Sequence, residues 1–183
     1  MKSLLLKYKL VVRFILTFLL VYIALSVAYK FYLQFSDGSE YYPDYMTHLV
    51  AKQSEALLNA LGYNTQVLPH PDEPSMKVIV NNVYLARVIE GCNSISVIIL
   101  FASFIVAFAS NFKTTLFYIL SGSVLIYVVN LLRIVLLTIA LYIYPHQKDV
   151  FHTVVFPAII YNLVFLLWIF WVNRFSKFKK SNG

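Results

Sequence analysis

Polar and apolar positions along this chain sort into long blocks. Apolar runs occupy about 10–29, 94–110, 114–144 and 153–172, with one long polar stretch and two short ones between them. A helix rises ~1.5 Å per residue and a bilayer core is ~30 Å thick, so roughly 20 apolar residues make one crossing. The first, second and last runs are each read as one crossing. The third is too long for one upright crossing and too short for two with a turn. It reads as a single long helix, tilted or kinked, with Ser121-Gly122-Ser123 as a plausible kink site. The fold this predicts is an all-α membrane protein with four transmembrane helices, forming one integral membrane domain over 1–183. The first run follows Lys2, Lys7, Lys9 and Arg13, as in a signal peptide, and Ser26-Val27-Ala28 is a passable cleavage site. Signal-peptide cores are nearer ~7–15 residues, so the run is read as an uncleaved anchor.

The polar stretch, about 30–91, is the only sizeable soluble part. Asp44 to Leu61 shows the spacing of an amphipathic helix, with Gly62 as its stop. Leu68 to Pro74 is proline-rich and reads as a stiff linker. Lys77–Val80 and Val83–Ile89 flank Asn81-Asn82, a β-hairpin signal, since Asn tolerates the positive φ such turns need. That hairpin feeds directly into Gly91-Cys92.

Composition sharpens this picture. Of 183 residues, 60% are hydrophobic and 13% charged, against roughly half and a quarter in soluble domains. The net charge of +7 is concentrated before the first run, at Lys113, and at Arg174, Lys177, Lys179 and Lys180. The positive-inside rule puts those three places in the cytoplasm, which requires four crossings with both termini inside. All eight acidic residues (Asp37, Glu40, Asp44, Glu55, Asp72, Glu73, Glu90, Asp149) then fall outside. The basic tail adjoins a span, so it marks topology and membrane contact; no nucleic-acid partner is expected. A single cysteine excludes a disulfide framework and argues against a cysteine-based metal site; neither metal nor cofactor is expected. Trp168 and Trp171 fit an interfacial aromatic belt. Ala102, Ser103, Ala107 and Ala109 offer small-residue contacts, for packing within the bundle or for a substrate helix.

Three residues carry the candidate chemistry, and this topology sends all three toward the outer rim: Cys92 at the head of span two, Arg133 in span three and His152 at the head of span four. An ionisable residue within a span costs at least ~2.5–3.5 kcal/mol and is a functional hypothesis by default. Arg133 has Asn130 at i−3 on its own face, with Asn162, backbone carbonyls, water or lipid phosphate as other partners. Cys92 is either a small buried hydrophobe or a nucleophile activated by neighbouring cations. If the helices bring the three together, Cys92 attacks a carbonyl, His152 moves the proton and Arg133 stabilises the thiolate or oxyanion. Asp149 either caps span four or orients His152. His48, His70 and His146 are competing bases in polar, linker-like settings.

The Cys at one span head, the Asn-x-x-Arg-Ile motif at Asn130–Ile134 and the His opening the last span resemble the exosortase/archaeosortase superfamily. The short layout and Glu90-Gly91-Cys92-Asn93 are most similar to the small F-type exosortases of Bacteroidetes. The resemblance covers about 78–170. It implies a membrane-embedded cysteine transpeptidase, of hydrolase type, with Cys92, Arg133 and His152 as its catalytic residues. It implies cell inner membrane localisation and protein-sorting substrates that end in a short motif, a hydrophobic helix and a basic tail, cut on the outer face and passed to an acceptor. Many members carry Gly two residues after the Cys; here Ser94 stands there, which leaves the local backbone and any oxyanion donor open. Two other readings remain: a hydrolytic protease with the same three residues, and a non-catalytic assembly factor in which Arg133 binds lipid or glycan phosphate.

Overall fold

The computed structural model describes residues 9–36, 41–109, 111–147 and 154–175. The described residues are mostly helical. In chain order they form α1 (Lys9–Ser36), α2 (Tyr45–Ala60), β1 (Thr65–Pro69), β2 (Ser75–Val80), β3 (Val83–Ile89), a 3-10 turn (Glu90–Cys92), α3 (Ile95–Ala107), α4 (Phe112–Ile143), a second 3-10 turn (Pro145–Gln147) and α5 (Phe156–Arg174). Three helices, α1, α4 and α5, are long and apolar enough to cross a membrane.

The helix bounds depart from the expected spans in two informative ways. α1 continues to Ser36, past the expected boundary at residue 29, because neither Gly nor Pro interrupts it before Gly38. α3 has 13 residues, about 20 Å of helix, which falls short of the ~30 Å apolar layer. Its start is set locally: Asn93 Oδ1 takes the Ile95 N–H at 3.0 Å, and Ser94 is left-handed at φ 67°. Ser110, the expected end of that span, lies outside the described residues.

α4 is one unbroken element of 32 residues, about 48 Å. Counted from Phe112, a ~30 Å apolar layer is used up near Leu132. The remainder packs on the soluble unit: Ile134 and Val135 join its core, and Leu137 and Leu141 lie against Ala86. The excess length of the third apolar run is thus used in packing on the soluble unit. At Gly122 the helix admits Phe101 of α3, and an added Cβ would come within 2.7 Å of the ring's Cε1.

The soluble unit is α2 on a three-stranded antiparallel sheet of order β1-β2-β3. Asp44 caps α2, accepting the Met46 and Thr47 N–H groups at 3.0 Å each, and Gly62 ends it at φ 89°. Val50, Ala51 and Leu58 of α2 meet Val67, Met76, Val78, Val80 and Val88 of the sheet, all buried. Asn81 and Asn82 take φ 49° and 64°, as a tight hairpin turn requires. The expected proline linker is instead a second hairpin. β1 pairs with β2, and the ladder runs on to the His70 N–H, which donates to Ser75 O at 2.9 Å. Pro69 is tolerated because it sits on an edge strand, where its missing N–H is not needed.

That β1 edge is closed by side chains of α2. Thr65 N–H donates to Asn59 Oδ1 (2.7 Å), and Asn59 Nδ2 donates back to Thr65 O (3.2 Å). Val67 N–H donates to Glu55 Oε1 (2.8 Å), and Lys52 Nζ donates to Val67 O (3.2 Å).

In the helical bundle, Phe101, Ile105, Ile126, Val164 and Trp171 form the buried core. The tryptophans are packing residues rather than an interfacial belt: Trp171 is 0% exposed and donates to Phe108 O at 3.3 Å, and Trp168 stacks on Phe104 at 4.3 Å. Ala102 and Ser103 are buried in the same bundle and are not free for a substrate helix.

Candidate active site

Cys92 closes the 3-10 turn that carries β3 into α3, and it is half-buried. The two residues after it fix its backbone. Asn93 is fully buried, and its Nδ2 donates to Tyr29 Oη (2.8 Å) on α1 and to Thr47 Oγ1 (3.2 Å) on α2. With its Oδ1 on the Ile95 N–H, this one amide ties three helices together at the nucleophile candidate. Ser94 then holds a left-handed backbone, and its Oγ donates to Asn93 O at 2.6 Å. A left-handed residue favours glycine, which accounts physically for the glycine expected there; Ser94 adopts the same backbone at some conformational cost.

From the other side, Asn130 of α4 is buried and bridges two groups. Its Nδ2 donates to the Cys92 carbonyl at 2.7 Å, and its Oδ1 accepts from Arg133 Nη1 at 3.2 Å. The i, i+3 spacing that places both side chains on one helical face thus joins the guanidinium to the backbone of Cys92. Arg133 Nε is buried with no hydrogen-bond partner, and Arg133 makes no ion pair among the described residues.

Cys92 and Arg133 line one cavity of about 440 Å³, within the range of small-ligand pockets. One wall is β3, from Tyr84 to Val88; the opposite wall is the face of α4 carrying Arg133, Ile134, Leu137, Thr138 and Leu141. Val78 of β2, with His70 and Glu73 from the β1–β2 turn, completes it. At this mouth Arg87 pairs with Glu73, and His70 Nε2 lies 3.6 Å from Glu73 Oε1. Hydrogen bonding to Arg87 holds the Glu73 carboxyl below the usual carboxylate range. Among the described residues no cluster of three or more His, Cys, Asp or Glu offers a metal site.

A family model described as transmembrane exosortase matches residues 4–173. The chain belongs to the transmembrane exosortase family. No curated protein and no solved structure matches it. Membership together with the apolar helices makes this exosortase a multi-pass membrane protein, with a transpeptidase-type function on protein sorting signals in general.

Of the candidate residues in this exosortase, Cys92 and Arg133 line one cavity, Asn130 joins them from its buried position, and Ser94 shapes the turn behind Cys92. Asn162 is exposed on α5 and is not among the residues lining the cavity; the partner recorded for Arg133 is Asn130. His152 and Asp149 lie outside the described residues. Three residues to which sequence reasoning gave no part in the site, His70 and Glu73 in the proline-rich stretch and Arg87 in the hairpin, belong to the cavity wall. Their signal was the pairing of β1 with β2 around the proline-rich turn, which reads as a linker when only local composition is weighed. Asn93 was also passed over, although a buried amide beside a span head is an expensive residue to carry without partners.

Proposed function

We propose that this exosortase is a cysteine transpeptidase in which Cys92 is the nucleophile, Arg133 the electrostatic stabiliser and His152 the acid–base group. The observation that carries the reading is that Cys92 and Arg133 line the same cavity and are joined through Asn130. The Cys92 thiol gives its proton to His152, and the sulfur attacks the scissile carbonyl of the sorting signal. Negative charge moves to the carbonyl oxygen, where the Arg133 guanidinium, with a buried Nε–H lacking an acceptor, offers a preorganised donor. Collapse expels the amine of the C-terminal fragment, protonated by His152, and leaves a thioester on Cys92. A nucleophilic acceptor attacks that thioester and restores the thiol. The thioester retains the energy of the peptide bond, which suits a site without ATP.

The reading places this cavity on the outer face of the cell inner membrane, with four crossings and both termini in the cytoplasm. The concentration of basic residues at the opposite side supports that orientation. The short layout favours the F-type subgroup. Substrates are exported proteins ending in a motif, an apolar helix and a basic tail. Expressing such a protein with Cys92→Ser tests the assignment: the variant accumulates in the membrane like wild type and the substrate stays full length. Wild-type processing by Cys92→Ser contradicts it. Mass analysis of the new C-terminus separates transfer to an acceptor from hydrolysis.

A further inference from the structure

The two edges of the sheet are treated differently. On β1, the outward main-chain groups of Thr65 and Val67 are all taken by Asn59, Glu55 and Lys52. On β3, among the described residues, no side chain or main chain outside the sheet pairs with the outward groups. Strand alternation identifies them. If Thr65 and Val67 face outward, Gln66 and Leu68 face β2, so Ile79 and Lys77 bond to β1 while Met76 and Val78 face β3. Their partners, Val88 and Ala86, therefore point inward, and Arg87 and Ile89 present N–H and C=O at the free edge.

Arg87 and Ile89 are exposed, and part of their strand borders the candidate site. Tyr84, Leu85, Ala86, Arg87 and Val88 all line the cavity that holds Cys92. Val78 of β2 lines the cavity as well, so the cavity covers the β3 end of one sheet face and reaches the strand's edge. A stretch of five residues is about 17 Å of extended chain. It ends only a few residues before Cys92, and α4 forms the opposite wall.

We propose that the edge of β3 is a docking strand: the segment of substrate around the scissile bond binds as a fourth, extended strand, hydrogen-bonded to the main chain of Arg87 and Ile89, and this pairing delivers the scissile carbonyl to Cys92. The proposal rests on the transpeptidase reading of Cys92 and adds how the polypeptide is held. Unpaired edges recruit strands by default, and main-chain pairing supplies affinity that depends little on side-chain identity. The occupant is thus an extended peptide rather than a helix, and the apolar helix of the sorting signal does not enter this slot.

The probe is an exported protein of the same genome ending in a motif, an apolar helix and a basic tail, and shortened only when this chain is present. Arg87→Pro removes an outward N–H without touching the β2 ladder, and Arg87→Ala removes the guanidinium but keeps that N–H. Processing by Arg87→Pro falls about tenfold or more below Arg87→Ala, with equal accumulation in the membrane. Equal processing by the two variants overturns the pairing. A second measurement uses full-length chain with Cys92→Ala and a single cysteine at Ala86 or Arg87, against substrates with one cysteine moved along the cleavage region. Strand pairing gives disulfides in a register: moving the exosortase cysteine by one residue moves the preferred substrate position by one. Cross-links without a register overturn the docking alone, provided that processing still requires Cys92. If Cys92→Ser processes this substrate normally, the transpeptidase reading fails and the docking proposal fails with it.

Discussion

Asn130 is the residue whose removal discriminates most sharply between a site and a coincidence of packing. Asn130→Ala deletes the donor to the Cys92 carbonyl (2.7 Å) and the acceptor of Arg133 Nη1 (3.2 Å) together. A buried polar group left unpaired costs ~1–3 kcal/mol. Arg133 is only half-buried and recovers part of its loss from water, so the sum is ~2–4 kcal/mol. Against a total stability of ~5–15 kcal/mol that is a large fraction, and it lowers the unfolding midpoint by roughly 5–15 °C at this chain length. Asn130→Asp separates the two roles. Its carboxylate keeps an acceptor for Arg133, but it sets one oxygen against the Cys92 carbonyl and neutralises the guanidinium. Processing is therefore lost in both variants, while thermal unfolding of purified protein in detergent shows the smaller drop for Asp. If Asn130→Ala unfolds within ~0.5 kcal/mol of wild type and processes substrate at the wild-type rate, the bridge has no energetic or functional role and the argument for a joined site collapses.

At Ser94, the φ of 67° makes Ser94→Gly more stable than Ser94→Ala by ~1 kcal/mol, read as a difference in unfolding midpoint; the reverse order would mean that the left-handed backbone is not there. Gly122→Ala drives a methyl into the ring of fully buried Phe101 and destabilises by ~1–3 kcal/mol, whereas Gly122→Ala at wild-type stability would show that α3 and α4 are not in close contact at this point. The Arg87–Glu73 pair predicts a pH dependence. Glu73 is held below its ordinary range chiefly by the Arg87 hydrogen bond, so the pair's contribution is fully present above the unfolded carboxyl pKa of ~4.3 and is lost as pH falls through the lower folded value. With His70, the other basic group beside Glu73, replaced by Gln in both chains, the midpoint difference between Glu73 and Glu73→Gln is then flat from pH 5 upward and closes on acidification below ~4; a difference that grows on acidification contradicts the pairing.

What could be read in advance was whatever rests on short-range rules. Asp44 as cap, Gly62 as stop and Asn81-Asn82 as a positive-φ turn each depend on a residue's own backbone preferences, and each stands in the fold. The Asn130–Arg133 face depends on helical periodicity and was equally legible. Tertiary partners were not. The third apolar run looked like one overlong crossing because hydropathy cannot distinguish lipid from a protein core as the neighbour of Ile134, Val135 and Leu137. His70 and Glu73 looked solvated because their place at the cavity mouth depends on β1 pairing with β2 across a proline-rich turn. Trp168 and Trp171 looked interfacial because their number and position are the same whether they face lipid or Phe104 and Phe108.

The central claim is that Cys92 carries an acyl group, and intact-mass measurement of the full chain purified with its substrate tests it directly. In wild-type chain quenched with acid during turnover, the account predicts a population heavier by the N-terminal substrate fragment less one water. The adduct maps to Cys92, is removed by hydroxylamine and is absent in Cys92→Ser. A substrate shortened in step with active enzyme while no adduct forms on Cys92, or an adduct that persists in Cys92→Ser, contradicts it.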